Sequence, residues 1–294
     1  MPEPARRAGF AALLGRPNCG KSTLLNRLLG EKLAIVSARP QTTRSRLLGI
    51  RPHGGAQILL LDTPGVHAGR RRLDAELRRL AEEAAADCDV ALLLAHPAEG
   101  WGEDLEGWRA RIAARGKPVL LVATKIDLPA AARAPWPPPG AGRADACLRV
   151  SARTGAGVAE LLDAIACRLP EGDPLYPEDQ LSDRPLRFLG AELVREAAFE
   201  ELLQELPYAL AVEVVEWDES RGDLVRVRAN LLVERASQRR IVIGSGGAQI
   251  KRIGTRARLG LERLLGRRVH LELWAKLEPR WSRRPNRLKS LGYS

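Results

Sequence analysis

Aromatic residues are scarce in this 294-residue chain, at 4%, with three Phe and three Tyr. Its core must therefore be built from aliphatic side chains, and the length is ample for one or two domains. Only four cysteines occur, at Cys19, Cys88, Cys147 and Cys167. Their spacings fit neither a zinc site nor a small disulfide framework, so a reducing cytoplasmic compartment is the simplest expectation. Purely apolar runs such as Val90 to Ala95 are far too short to span a bilayer. The opening residues, MPEPARRAGF, lack the apolar core of a signal peptide. Acidic residues thin out toward the end of the chain. Arg239 to Ser294 holds 15 Lys or Arg against three acids, a net of +12, which leaves −1 on the remaining residues of a chain totalling +11. Such a basic segment points to nucleic acid or an anionic membrane surface. A chain-wide bias toward Arg would not produce this asymmetry.

Short apolar runs alternate with helical patterns through the first half. Phe10 to Leu14, Ile58 to Leu61, Val90 to Ala95 and Val119 to Ala123 have strand length. Ser22 to Leu29, Leu73 to Ala86, Trp108 to Ala114 and Val158 to Leu169 have helical spacing. That alternation implies an α/β domain, with a mostly parallel sheet and helices on both faces. Ala130 to Gly142 is a low-complexity loop of polyproline character, and Pro170 to Pro185 has the composition of a linker. The second half changes pattern. Leu189, Leu193, Ala197, Leu202 and Leu206 suit an amphipathic helix. Ala209 to Val215 and Leu224 to Val233 suit strands, joined by a turn at Ser220 to Asp223. An apolar Ile241 to Ile243, a Gly-rich loop, a basic helix to about Leu265 and an alternating strand at Val269 to Leu273 follow. The expected layout is a first domain over 1–172, a linker over 173–185 and a smaller α+β domain over 186–294.

The chemistry begins at Gly15-Arg16-Pro17-Asn18-Cys19-Gly20-Lys21-Ser22, followed by Thr23, which fits G-x-x-x-x-G-K-[ST] between a strand and a helix. Its glycines let backbone N–H groups turn inward around a β-phosphate, and the helix N-terminus adds partial positive charge. Lys21 reaches the β- and γ-phosphates, and the Ser22 hydroxyl suits Mg²⁺. Asp62-Thr63-Pro64-Gly65 ends a strand. An Asp there can hold Mg²⁺ through water, and the Gly65 N–H can meet a γ-phosphate. Thr124-Lys125-Ile126-Asp127 follows another strand. The Asp127 carboxylate can accept from guanine N1–H and N2–H₂, whereas adenine would leave it unpaired. The Lys125 stem can lie along the base plane. After Ser151, the backbone N–H of Ala152 can donate to guanine O6. Alone, D-x-x-G is a common turn, and Thr124 to Asp127 also reads as a strand-end Asp capping a turn; order and spacing make the set specific.

Together these segments resemble the G1, G3, G4 and G5 motifs of translation-factor-class GTPases. Thr124 stands where that class has Asn, which implies a weaker tie between base loop and phosphate loop. By the same resemblance, a threonine of Arg39-Pro40-Gln41-Thr42-Thr43-Arg44 ligates Mg²⁺ in the triphosphate state, Thr43 in first place and Thr42 in second. Val66, after Gly65, cannot orient water as the Gln of Ras-like GTPases does, so slow intrinsic turnover is implied. In GTPases with an apolar residue there, an Asn at the Asn18 position can ligate K⁺.

Ile241 to Gly254 is similar to the V-I-G-x-x-G signature of KH domains, and the order of elements suits their bacterial type II form. The resemblance implies single-stranded RNA held by Ile243, Gly244, Ser245, Gly246 and Gly247, with phosphate contacts from Lys251 or Arg252. A phosphate loop, P-Q-T-T-R, D-T-P-G, one C-terminal KH domain and the ending VHLELWAKL through LKSLGYS resemble the Era family over almost the whole chain. It is weakest over Ala130 to Ala146. Trp101 to Asp104 is also similar, without an evident role. Family membership implies a Mg²⁺-dependent GTPase that binds GTP and GDP and uses Lys21, Thr43 and Gly65 in hydrolysis. It further implies binding to the 3′ end of small-subunit ribosomal RNA during small ribosomal subunit assembly, as a monomer in the cytoplasm, with peripheral membrane association. The competing readings are a GTPase for tRNA modification or the large subunit, a non-catalytic RNA-binding sensor, and a membrane-surface regulator.

Overall fold

The computed structural model describes residues 6–36, 47–65, 72–203 and 206–292. The chain divides into two compact units, Met1–Asp183 and Arg184–Ser294.

In the first unit, β1 (Arg7–Gly15) runs into α1 (Lys21–Leu29). Then come β2 (Leu47–His53), β3 (Ala56–Asp62), α2 (Arg72–Asp87), β4 (Val90–Ala95), α3 (Glu103–Ala113), β5 (Val119–Ala123), α4 (Pro129–Arg133), β6 (Ala146–Arg149) and α5 (Val158–Ala166). The sheet order is β2-β3-β1-β4-β5-β6. Only β2 is antiparallel to its neighbour. Every residue of β3, β4 and β5 is buried, as expected of strands covered on both faces. Ala12, Leu14, Leu59, Leu61, Leu93 and Leu121 share a core with α2 and α3, while α1 and α5 lie against the β1–β3 region. Parallel order has one consequence for function. The ends of β1, β3, β5 and β6 emerge along one edge, where ligands of such sheets bind.

Three expectations change. The helix expected from Trp108 starts at Glu103, where the acidic first turn of Glu103, Asp104 and Glu106 suits a helix N-terminus. The Pro-rich stretch opens with α4 and is then pinned to α3: Glu106 accepts from Gly142 N–H at 3.2 Å and Arg109 donates to Arg143 O at 2.9 Å. The segment expected as a linker is docked on the first unit up to Asp183. Gln57, buried in β3, accepts from the N–H groups of Leu175 and Tyr176 at 2.7 and 3.0 Å and donates to Tyr176 O at 2.7 Å. Ile50 N–H donates to Leu181 O, and Ser182 Oγ to Leu48 O, at 2.9 and 2.6 Å.

The second unit comprises α6 (Leu186–Glu201), β7 (Ala211–Arg221), β8 (Leu224–Val233), α7 (Ala236–Ile243), α8 (Ala248–Leu265), β9 (Arg268–Leu277) and α9 (Pro285–Ser290). β8 is central, antiparallel to β7 and parallel to β9. This α-β-β-α-α-β order is the type II KH arrangement. Alternation in β8 leaves Leu232 on one face, covered by Trp281 and Leu291, and buries Val225, Val227, Ala229, Leu231 and Val233 on the other. They pack against α8, whose Ile253, Ala257 and Leu261 recur at helical spacing.

Candidate functional site

The loop between β1 and α1 is shaped by two left-handed residues and one close approach. Asn18 (φ 59°) and Gly20 (φ 100°) turn the backbone, and Gly20 caps α1 without a side-chain bond. A Cβ on Gly15 would stand 2.4 Å from Leu94 O, so only glycine fits at the β1 exit. The Lys21 ammonium is buried in the loop, donating to Gly15 O at 3.1 Å and Arg16 O at 2.8 Å. This places a fixed positive charge among the N–H groups opening α1, an anion site by construction.

Ser22 Oγ donates to Asp62 Oδ2 at 2.9 Å, and Asp62 is wholly buried at the end of β3. Two hard oxygen donors beside a phosphate loop fit Mg²⁺. Thr63 Oγ1 anchors the next residue to Leu13 O at 2.6 Å. Pro64 is buried behind it, and Gly65 lies against the phosphate loop, where a Cβ would stand 2.6 Å from Pro17 Cα. That contact makes glycine a steric requirement. Thr42, Thr43 and Val66 lie outside the described residues.

Beside the loop is a cleft of about 340 Å³, lined by Gly20, Thr23, Leu24, Thr124, Lys125, Asp127, Leu128, Val150, Ala152 and Arg153. Thr124 Oγ1 is 2.6 Å from Cys19 O and 3.2 Å from Ala95 O, so this hydroxyl does tie the base loop to the phosphate loop. Lys125 adopts φ 57°, and its Cε passes 3.9 Å from the point where a Gly20 Cβ would be. Asp127 is fixed from both sides. Ser151 Oγ donates to Oδ1 at 2.7 Å and Arg153 Nε to Oδ2 at 2.9 Å. The Ser151 bond above all, with Arg153 adding to it, holds this carboxyl below the ordinary carboxylate range, so it stays an acceptor at neutral pH.

Leu24, Leu128, Val150 and Arg153 of this cleft carry no linear motif and are visible only in the fold. So is the role of Trp101 to Asp104. Arg16 makes a bidentate pair with Asp104 (2.8 and 2.6 Å) and donates to Gly100 O at 3.2 Å, which clamps the phosphate loop to that segment.

In the second unit, α7 ends at Gly244 and α8 starts after Gly247. Gly244 (φ 75°) packs tightly, since a Cβ would lie 2.6 Å from Gln249 Cβ. Gly246 and Gly247 also have positive φ, but nothing lies within 4 Å of their missing Cβ atoms, which leaves the backbone open to a ligand. Ser245 is exposed and Ile243 half-buried beside them. Arg252 pairs with Glu201 at 3.4 Å and bonds Gln249. Arg256 pairs with Glu200, and Arg258 with Glu262. Lys251 is exposed with no ion pair among the described residues, so of the two expected phosphate ligands it is the one with its charge in solvent.

Two family models match the chain: a 50S ribosome-binding GTPase over residues 10–125 and a KH domain over residues 205–282. GTPase Era of Afipia carboxidovorans is 44% identical, covering 97% of this chain and 94% of its own. GTPase Era of Geobacter metallireducens is 41% identical over 98% of each. Among solved structures, Era in complex with MgGDPNP and nucleotides 1506–1542 of 16S ribosomal RNA aligns with a TM-score of 0.86 and 36% identity, covering 98% and 99% of the two chains. A variant of Aquifex aeolicus Era bound to GDP·AlF4⁻ aligns at 0.87 and 38%, with the same coverage.

Proposed function

From the premise that the chain belongs to the Era family of GTPases, we propose that it couples GTP hydrolysis in its first unit to binding of the 3′ end of small-subunit ribosomal RNA in its second, in small ribosomal subunit assembly. The observation that carries the nucleotide half is the Thr124–Cys19 bond of 2.6 Å, which joins base-reading and phosphate-holding loops into one site. The RNA half rests on the open Gly246–Gly247 backbone and on the related structure solved with 16S ribosomal RNA. The words 50S ribosome-binding describe a family model over 10–125 alone, whereas the full-length relatives carry the KH domain as well.

In this reading, the N–H groups of Gly15 to Thr23 cradle the β-phosphate. Lys21 bridges β- and γ-phosphates, Gly65 N–H meets the γ-phosphate, and Asp127 with Ala152 N–H reads guanine. Mg²⁺, held by Ser22 and Thr43 with Asp62 behind, supplies charge neutralisation on the phosphate oxygens. Asn18, exposed on the loop, offers its side-chain oxygen to K⁺. No described side chain stands ready as a general base, and Val66 has none to offer, so water attacks slowly until RNA or the ribosome completes the site. The protein works in the cytoplasm as a monomer and touches the membrane peripherally through its basic surface; no described helix is long and apolar enough to cross a membrane.

The test is GTP turnover with Mg²⁺, in K⁺ and in Na⁺, with and without a 3′-terminal small-subunit RNA oligonucleotide. Slow turnover raised by K⁺ and by RNA is expected. Turnover that ignores the RNA would separate the two activities, and none under any condition would remove the enzymatic role.

A further inference from the structure

Arg27 lies on α1, about a turn and a half past Ser22, and reaches away from the phosphates toward the base. Its Nε donates to Ala152 O at 2.7 Å and its Nη2 to Arg153 O at 2.8 Å. The guanidinium sits beneath Gly155 (φ 90°), whose absent Cβ would lie 3.5 Å from Nη2. The loop is held from within as well. Ser151 N–H donates to Ala156 O at 2.9 Å, Gly155 N–H to Ser151 O at 2.8 Å, and Thr154 N–H to Ser151 Oγ at 3.1 Å. A trans peptide points its N–H opposite to its C=O. With the Ser151 carbonyl turned to Gly155, the Ala152 N–H points the other way, and Ala152 lines the cleft. Arg27 then fixes the next two carbonyls, so this peptide cannot rock. A planar fork on two acceptors does this at low entropic cost, which a point-charge ammonium cannot match.

We propose that Arg27 is a positioning residue for guanine selectivity: its forked bonds to Ala152 and Arg153 hold the Ala152 N–H on line with O6 of the base. The proposal rests on Ala152 as the O6 donor. Because α1 begins at Lys21, the same helix that holds the phosphates also sets the base reader.

Arg27 is exposed, so its replacement leaves the fold intact. The experiment measures dissociation constants of the full chain for GDP, 6-thio-GDP and IDP, by competition with a fluorescent GDP. Sulfur at position 6 is a poor acceptor, and IDP lacks the 2-amino group offered to Asp127. Wild type should bind either analogue about tenfold more weakly than GDP. Arg27→Met should lose about five- to tenfold for GDP and little for 6-thio-GDP, collapsing the position-6 penalty while the IDP penalty persists. Arg27→Gln, uncharged but still a donor, should recover part of the position-6 penalty. Equal weakening toward all three nucleotides, or no change, would overturn the assignment and leave Arg27 a surface tether. Wild type that binds GDP and 6-thio-GDP alike would instead overturn the O6 contact at Ala152, and the assignment with it.

Discussion

Thr124 has one hydroxyl proton and two carbonyls within reach. It lies 2.6 Å from Cys19 O and 3.2 Å from Ala95 O and is buried, so the shorter bond takes the proton. An Asn there, as in most related GTPases, brings two N–H donors and an acceptor. The sequence makes this departure visible but not its outcome, because the partner is a backbone carbonyl 105 residues earlier. Thr124→Ala leaves Cys19 O without that donor and lets the two loops drift apart; GDP affinity should fall about tenfold, roughly 1.4 kcal/mol. Thr124→Asn should tighten GDP binding a few-fold. A fluorescent-GDP titration measures both. Unchanged affinity in both variants would mean that the two loops keep their spacing without this side chain.

At the scale of elements, α3 works as a clamp whose grip depends on one carboxylate. Glu106 accepts from Arg109, from Trp101 Nε1–H at 3.0 Å and from Gly142 N–H at 3.2 Å. The Arg109 guanidinium first, then Trp101 and Gly142, hold its pKa down to about 2 from an ordinary 4.5. A depressed carboxylate pKa adds stability that is complete above 4.5 and lost as pH falls toward 2. Glu106→Gln should therefore lower the thermal midpoint at pH 7, by about 1–2 kcal/mol of stability. The gap from wild type should close between pH 4.5 and pH 2, and a gap constant with pH would place the loss in packing rather than charge. None of this was legible in the sequence, where the Pro-rich stretch reads as a free loop. Motif loops were legible because each is contiguous, and those at Gly15, Asp62 and Thr124 follow strongly apolar strands. The edge strand β2 was not: Leu47–His53 carries Gly49 and Pro52, which weaken a strand pattern. An edge tolerates that proline, and Gly49 is needed where a Cβ would fall 2.5 Å from Leu29 Cδ1. Arg16, Arg27 and Gln57 were silent for another reason. Their partners lie 84 to 126 residues away, so only folding brings them together.

For the whole molecule, the decisive boundary is where the first unit ends. Composition puts a linker at 173–185, because proline and acids read as solvated chain. The fold instead uses 173–183 as a strap over β2 and β3. Gln57 is only 3% exposed, and both ends of its amide are satisfied by the strap alone. Leu181 O and Ser182 Oγ serve the free edge of β2, and Tyr176 packs on the core beneath α2 and α3. Removing the strap would exchange these five hydrogen bonds for bonds to water, at about 0.5–1.5 kcal/mol each before the entropy regained by the freed chain, and would uncover the core beneath Tyr176. A first unit ending at Asp183 should thus be more stable than one ending at Gly172 by about 2–4 kcal/mol in urea unfolding. GDP with Mg²⁺ should raise the stability of both forms by the same increment at one common GDP concentration, since the strap touches neither nucleotide loop. Equal stability of the two forms would return 173–183 to the role of a spacer. A strap that also changed GDP affinity would instead mean that its hold on β2 and β3 is transmitted along the sheet to Asp62.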